Sequence, residues 1–360
     1  MYCRLIYTRI TIASLSSFQS RRPILIIVRT ITGALIKKSF PVFLLIFFAQ
    51  AARVWAFDGQ TILIKEPWRD LFAGQTAIYH IISNSPNVTT NLIWRLSYNN
   101  RTLSQGTIDI DKDSSKGAPA ELALPVPMVK EGVIVPADLT LMAGAGPVPL
   151  LKEKFYIFPA APFTFQEKWL ADLKIGLYDP QKTTQNIFES MGVPFHPFSN
   201  IDALSSFEGK LFIVGQDMDL GQDSGFWDGL CTLAQRQVPI LVLAPKKGRL
   251  TFTDETQRLV LSREGIIHEL DKSLDTAWAP EGRTSISGIK VSSQENNTYG
   301  QVEPGPENWP WVEITFNNGG RIIICGFDFA GTADHSPAPR YFLARLIDYL
   351  INPHLKENVK

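Results

Sequence analysis

Between Lys174 and Leu350 the chain repeats one unit: a short apolar run, a small or acidic loop, then a helical stretch. The runs Ile175–Tyr178, Leu211–Val214, Ile240–Leu243 and Ile322–Cys325 show it best. Runs without polar interruption belong to strands covered on both faces, and their alternation with helices predicts a mostly parallel sheet. A ligand on such a sheet lies in the crevice at the carboxyl ends of the strands. The loops that would line it are Asp179–Pro180, Gly215–Asp217, Pro245–Lys247 and Asp328.

Further along, Asp179–Thr183 leads into a helix that stops near Met191–Gly192, Pro194–Pro197 is extended, and Asp202–Phe207 forms a short helix. Ser224 caps a helix over 225–237, and Thr253–Asp254 caps another running to about Arg263. Ile266–His268 and Ile286–Val291 read as strands. Trp311–Phe316 and Arg321–Cys325 flank Asn317–Gly320, whose turn chemistry predicts an antiparallel hairpin. The apolar residues of 339–350 recur at helical spacing, which marks a core helix.

Residues 57–160 read differently. Seven short runs rich in β-branched and aromatic residues are separated by Gly, Pro, Asn or Ser: 61–64, 76–82, 92–98, 107–110, 121–124, 138–142 and 154–158. That density of strands suggests an immunoglobulin-like sandwich. Trp94 is expected in its core, and His80, within an alternating strand, is expected to be structural. The proline-stiffened stretch Phe158–Phe163 is the boundary. The expected organisation is a leader over 1–56, the sandwich over 57–160 and an α/β domain over 164–353.

Ahead of the sandwich, Lys37–Lys38 precede the apolar run Phe40–Phe48, and Val54–Trp55–Ala56, ending on a small residue, follow. This order is that of a secretory signal, with cleavage expected after Ala56 and the protein exported, periplasmic or extracellular. An uncleaved membrane anchor is the alternative, since Pro23–Val28 is a second apolar run. Asn87–Thr89, Asn100–Thr102 and Asn296–Thr298 fit the glycosylation triplet. Lys and Arg together number 35, as do Asp and Glu, so no net field favours nucleic acid. Cys3 falls in the leader; Cys231 and Cys325 are expected as unpaired core thiols.

The chemistry offered is sparse. Tyr178–Thr184 contains no Gly, so no phosphate-cradling turn is expected there, although Thr183, Thr184 and Gln216 could help a helix start hold an anion. Cys231 lies inside a helix, away from any strand-to-helix elbow. Asp179, Asp217 and Asp328 each follow a strand; converging, they could do acid–base or metal work, and otherwise they are caps and turn formers. His335, in the loop after the last strand, is the best single candidate for a crevice base or ligand, and otherwise a surface-loop histidine. No residue spacing suggests zinc, and no cofactor is expected.

On Ile175–Asp179, Leu211–Gly215 with Val238–Leu243, and Gly319–Gly326 with the terminal helix, the second half resembles the class I glutamine amidotransferase-like superfamily. The resemblance implies a flavodoxin-like sheet. Asp138–Met142 and Phe155–Pro159 resemble the end of the sandwich that precedes such domains in extracellular glycoside hydrolases and β-galactosidase-like proteins. The catalytic Cys elbow of active amidotransferases is absent, so the resemblance carries over no catalytic residue. Three readings follow: an exported, non-catalytic binding or assembly protein with a carbohydrate or protein partner; a hydrolase using Asp179, Asp217, Asp328 or His335; and a membrane-tethered structural subunit. Contact with a membrane is expected only if the leader is retained.

Overall fold

The computed structural model describes residues 62–352, apart from 84–90, 111–118, 145–147, 165, 222–224, 253–254, 264, 279–284, 295–296 and 306. All belong to the compact unit Asp58–Lys360. The leader with its cleavage point, Cys3, the triplets at Asn87 and Asn296, and the caps Ser224 and Thr253–Asp254 lie, wholly or in part, outside the described residues.

Strands dominate the first part. They are β1 (Ile62–Ile64), β2 (Asp70–Phe72), β3 (Thr76–Ser83), β4 (Asn91–Tyr98), β5 (Arg101–Asp109), β6 (Ala120–Pro125), β7 (Val135–Ala143) and β8 (Pro149–Phe158). They form two sheets, ordered β1-β3-β6 and β2-β8-β7-β4-β5. Period-two alternation sends Leu92, Trp94 and Leu96 inward, where they meet Tyr79, Ile81, Leu122, Leu139 and Phe155 in one sandwich core. Trp94 sits opposite Gly106 on β5, where an added Cβ would come within 2.8 Å of the indole; the glycine makes room for the ring. Asn99 and Asn100, at φ 46° and 64°, make the β4–β5 turn, a conformation Asn tolerates. His80 is structural in this sense: its Nδ1 lies 2.6 Å from Glu66 Oε1, and Glu66 Oε2 accepts the His80 backbone N–H at 2.8 Å.

The second part is built on a seven-stranded sheet. Its strands are β9 (Gly176–Tyr178), β10 (His196–Phe198), β11 (Phe212–Val214), β12 (Ile240–Leu243), β14 (Thr256–Ser262), β17 (Trp311–Phe316) and β18 (Arg321–Cys325). The order is β10-β9-β11-β12-β18-β17-β14. The first five run parallel, and β17 and β14 are antiparallel additions. A separate antiparallel sheet joins β13 (Gly248–Phe252), β16 (Asn297–Glu303) and β15 (Gly288–Gln294).

Both faces of the large sheet are buried, which explains its unbroken apolar runs. Leu177, Ile213, Leu241 and Ile323 face one core with α6 (Pro337–Ile351), whose Phe342, Leu346, Ile347 and Leu350 lie there. Phe212, Val214, Ile240, Val242 and Ile324 face the other, with α3 (Phe226–Gln235) and the small sheet. The remaining helices are α1 (Glu167–Leu173), α2 (Thr183–Ser190), α4 (Gly265–Leu270) and α5 (Lys272–Ala277), with a 3-10 turn over Ile201–Ser206. Among the described residues no helix is long and apolar enough to cross a membrane.

Two sequence expectations fail. The helix expected after Thr253–Asp254 is strand β14: Leu259–Leu261 pair with Val312–Ile314 along the edge of β17 opposite β18. A tertiary partner overrides the capping signal there. The strand expected at Ile266–His268 is helix α4, because Ile266 and Ile267 are both buried in the core beneath α6 instead of alternating.

Candidate functional site at the strand ends and the adjoining seam

At the end of β9 the chain turns into α2, and Asp179, nearly buried, folds back over that turn. Its Oδ2 accepts the backbone N–H of Gln185 at 2.8 Å, and Thr183 Oγ1 approaches Oδ1 at 3.5 Å. The carboxylate thus stands where a bound anion would stand at a helix start. At this helix start, where Thr183 and Thr184 are expected to help hold an anion, the chain's own Asp179 carboxyl takes the Gln185 N–H. Gly215 permits this, since a Cβ there would sit 2.6 Å from the Asp179 carboxyl carbon.

Gln216 joins this turn to the end of the sheet. Its backbone N–H donates to Thr184 Oγ1 at 2.9 Å. Its side chain is buried: Oε1 accepts from Phe329 N at 3.0 Å and Ala330 N at 2.9 Å, and Nε2 donates to Asp328 Oδ1 at 2.9 Å. Asp328 in turn accepts Gly331 N on the same oxygen, 2.8 Å away, and its carbonyl accepts Thr332 Oγ1. Thr184, Gln216 and Asp328 therefore form one hydrogen-bonded belt, and Asp179 joins it through Thr183 Oγ1, which lies 3.5 Å from Asp179 Oδ1 and 3.4 Å from the Gln216 carbonyl oxygen. Asp217 stands beside it in a left-handed turn at φ 65°; its N–H donates to Ala244 O and its carbonyl accepts from Gln181 Nε2.

His335 does not join them. It lies in the turn before α6, exposed, with its ring stacked on Trp68 of the sandwich at 5.2 Å between centroids and 10° between planes. One residue on, Ser336 Oγ donates to Asp70 Oδ2, which also accepts Ala338 N at 2.9 Å. A carboxylate of β2 thus caps α6, with Pro337 at the position where a missing N–H costs nothing. Asp70 is fully buried and its Oδ1 has no partner. Burial pushes this carboxyl above its usual value, and the bonds from Ser336 and Ala338 pull it back only in part. Burial, reinforced by the charge of Asp70, raises Tyr79 well above the ordinary phenol. Sequence reasoning missed Trp68, Asp70 and Tyr79. The three-residue strand around Asp70 carries no periodicity, and only its pairing with β8 defines it.

Both thiols described are buried and unpaired. Burial pushes each up to about 12, at Cys231 with help from the Asp228 charge. Neither is a thiolate at neutral pH, which is the form a nucleophile requires. Among the described residues no group of three or more His, Cys, Asp or Glu is placed to hold a metal.

No family model matches the chain, and no curated protein matches it. Solved structures similar to parts of it are sandwich domains. A CARDB domain from Pyrococcus furiosus, in complex with di-metal ions, is 17% identical, over 28% of this chain and 91% of that one, at a TM-score of 0.19. The fibronectin(III)-like modules of Clostridium thermocellum CbhA are 10% identical, over 28% of this chain and 48% of that one, also at 0.19. Cadherin-like domains 1 to 4 of zebrafish RET are 9% identical, over 74% of this chain and 50% of that one, again at 0.19.

Proposed function

We propose that this chain is an exported, non-catalytic binding or assembly protein, made of an immunoglobulin-like sandwich and a flavodoxin-like half akin to class I glutamine amidotransferase-like domains. The observation that carries the reading is the closed belt at the strand ends. Two of the four residues a hydrolase could use, Asp179 and Asp328, are hydrogen-bonded to backbone N–H groups, and Gln216 ties their loops together. A carboxylate held in this way serves as a cap. The parallel order β10-β9-β11-β12 supports the flavodoxin-like assignment. The partner is a carbohydrate or a protein, as the sequence resemblance suggests.

Turnover assays on the full chain test this reading. Chromogenic esters, phosphoesters and glycosides, and glutamine, are expected to turn over no faster than in buffer, while immobilised glycans or proteins supply a binding signal. A hydrolytic rate that falls in Asp179→Asn or Asp328→Asn would restore the hydrolase reading.

A further inference from the structure

A cavity of about 220 Å³ opens where the sandwich meets the turn before α6. Its walls come from both sides: Trp68, Phe72, Ile78 and Tyr79 from β2, β3 and the approach to them, and Asp334 and His335 from the turn. Pockets at such seams are common ligand sites, and this volume suits a group of a few heavy atoms. Its chemistry is one-sided. Asp70 and Asp334 are its carboxylates, and no Lys or Arg lines it. Asp70 is too deeply buried to be touched, so Asp334 is the carboxylate a ligand could reach. Asp334 is exposed at the mouth. Aromatic faces complete the wall, and such faces attract cations. One of them already does so: the Arg340 guanidinium lies 5.0 Å over Phe72. That arginine gives its short bond to Ala333 O, at 2.7 Å, and stands 3.5 Å from Asp334, so the carboxylate keeps room for a second donor.

We propose that this cavity binds a compact alkylammonium group, held between the Trp68–His335 pair and Asp334. An ammonium carries donors and no acceptor, which matches carboxylates and aromatic faces. The group arrives either as a free amine or as the end of a lysine side chain. This goes beyond the reading above and stands apart from it: detected hydrolysis would overturn that reading and leave the cavity untouched.

The test is an NMR titration of the full chain, following the Trp68 indole N–H, assigned by its loss in Trp68→Phe. The probes are ethylammonium chloride and Nα-acetyl-lysine amide, against ethanol, Nα-acetyl-norleucine amide and sodium chloride at equal ionic strength. At least one cation is expected to shift the signal saturably, and the neutral analogues and sodium chloride are not. Asp334→Asn, at an exposed position that leaves the fold intact, is expected to weaken binding roughly threefold, the scale of an exposed charge pair. Tighter binding of the lysine derivative points to a protein side chain, and equal or tighter binding of ethylammonium to a free amine. No saturable shift, an equal response to the neutral analogues, or undiminished binding by Asp334→Asn would overturn the proposal.

Discussion

Gln216→Ala is expected to lower the stability of the fold by about 3 kcal/mol. The truncation strips the acceptor from two N–H groups, Phe329 and Ala330, and the donor from Asp328. Each buried group left without a partner costs roughly 1–3 kcal/mol, partly recovered where water enters. Equilibrium urea unfolding measures the loss as a lower midpoint at unchanged slope. Gln216→Glu sharpens the point. It keeps the acceptor for Phe329 and Ala330 but sets a second carboxylate against Asp328, so it is expected to destabilise at neutral pH. Because like charges raise a carboxyl pKa, part of the loss returns as the pH falls toward about 4. A variant as stable as the parent at pH 7 would mean that the belt carries no load.

Asp70→Ala is the second large effect. It leaves Ser336 Oγ and Ala338 N–H, both buried, without an acceptor and removes the cap of α6. Removing a buried carboxylate offsets part of this, and a net loss of about 2 kcal/mol is expected. The Ala338 amide should lose exchange protection before the rest of the helix. Asp70→Asn keeps the acceptor and removes the charge, so its effect depends on pH in a definite direction. The folded-state carboxyl is raised above its ordinary 3.8. Its contribution is therefore fully present below that pH and is lost as the pH rises through the folded value. Relative to the parent, Asp70→Asn should gain stability as the pH is raised from about 4 toward neutrality. A parent–variant difference that is flat over that range would show that burial does not raise this group.

Most of the strands could be read from the chain because their environments are uniform. β9, β11, β12 and β18 are buried on both faces and appear as unbroken apolar runs, while β4 is buried on one and alternates. The hairpin β17–β18 is legible from Asn317–Gly320, and the β4–β5 turn from its two asparagines. What failed was short or depended on a distant partner. β2 has three residues and exists through β8; β14 exists through β17; α4 has six residues, too few to display a period. β13 and β16 leave no pattern in the sequence, since Gly300 and the polar positions of the small sheet interrupt it.

For the site, position was legible and role was not. Asp179, Gln216 and Asp328 do meet at the strand ends, as residues following parallel strands should. That Gln216 binds backbone instead of a ligand depends on loop conformation, which no spacing encodes. His335, expected as a base or ligand for the same crevice, has its ring contact with Trp68 on the sandwich. The chain before α6 turns away from the strand ends, and a single sequence holds no trace of that direction.

A double-mutant cycle between Gln216 and Asp328, read by unfolding free energy, tests most directly whether the belt is scaffold. Asp328→Ala, Gln216→Ala and the double variant are each expected to be less stable than the parent, with a coupling of roughly 1 kcal/mol or more because the two side chains share a hydrogen bond. Residues kept for chemistry tend to cost stability, so single variants more stable than the parent, with additive effects, would contradict the account.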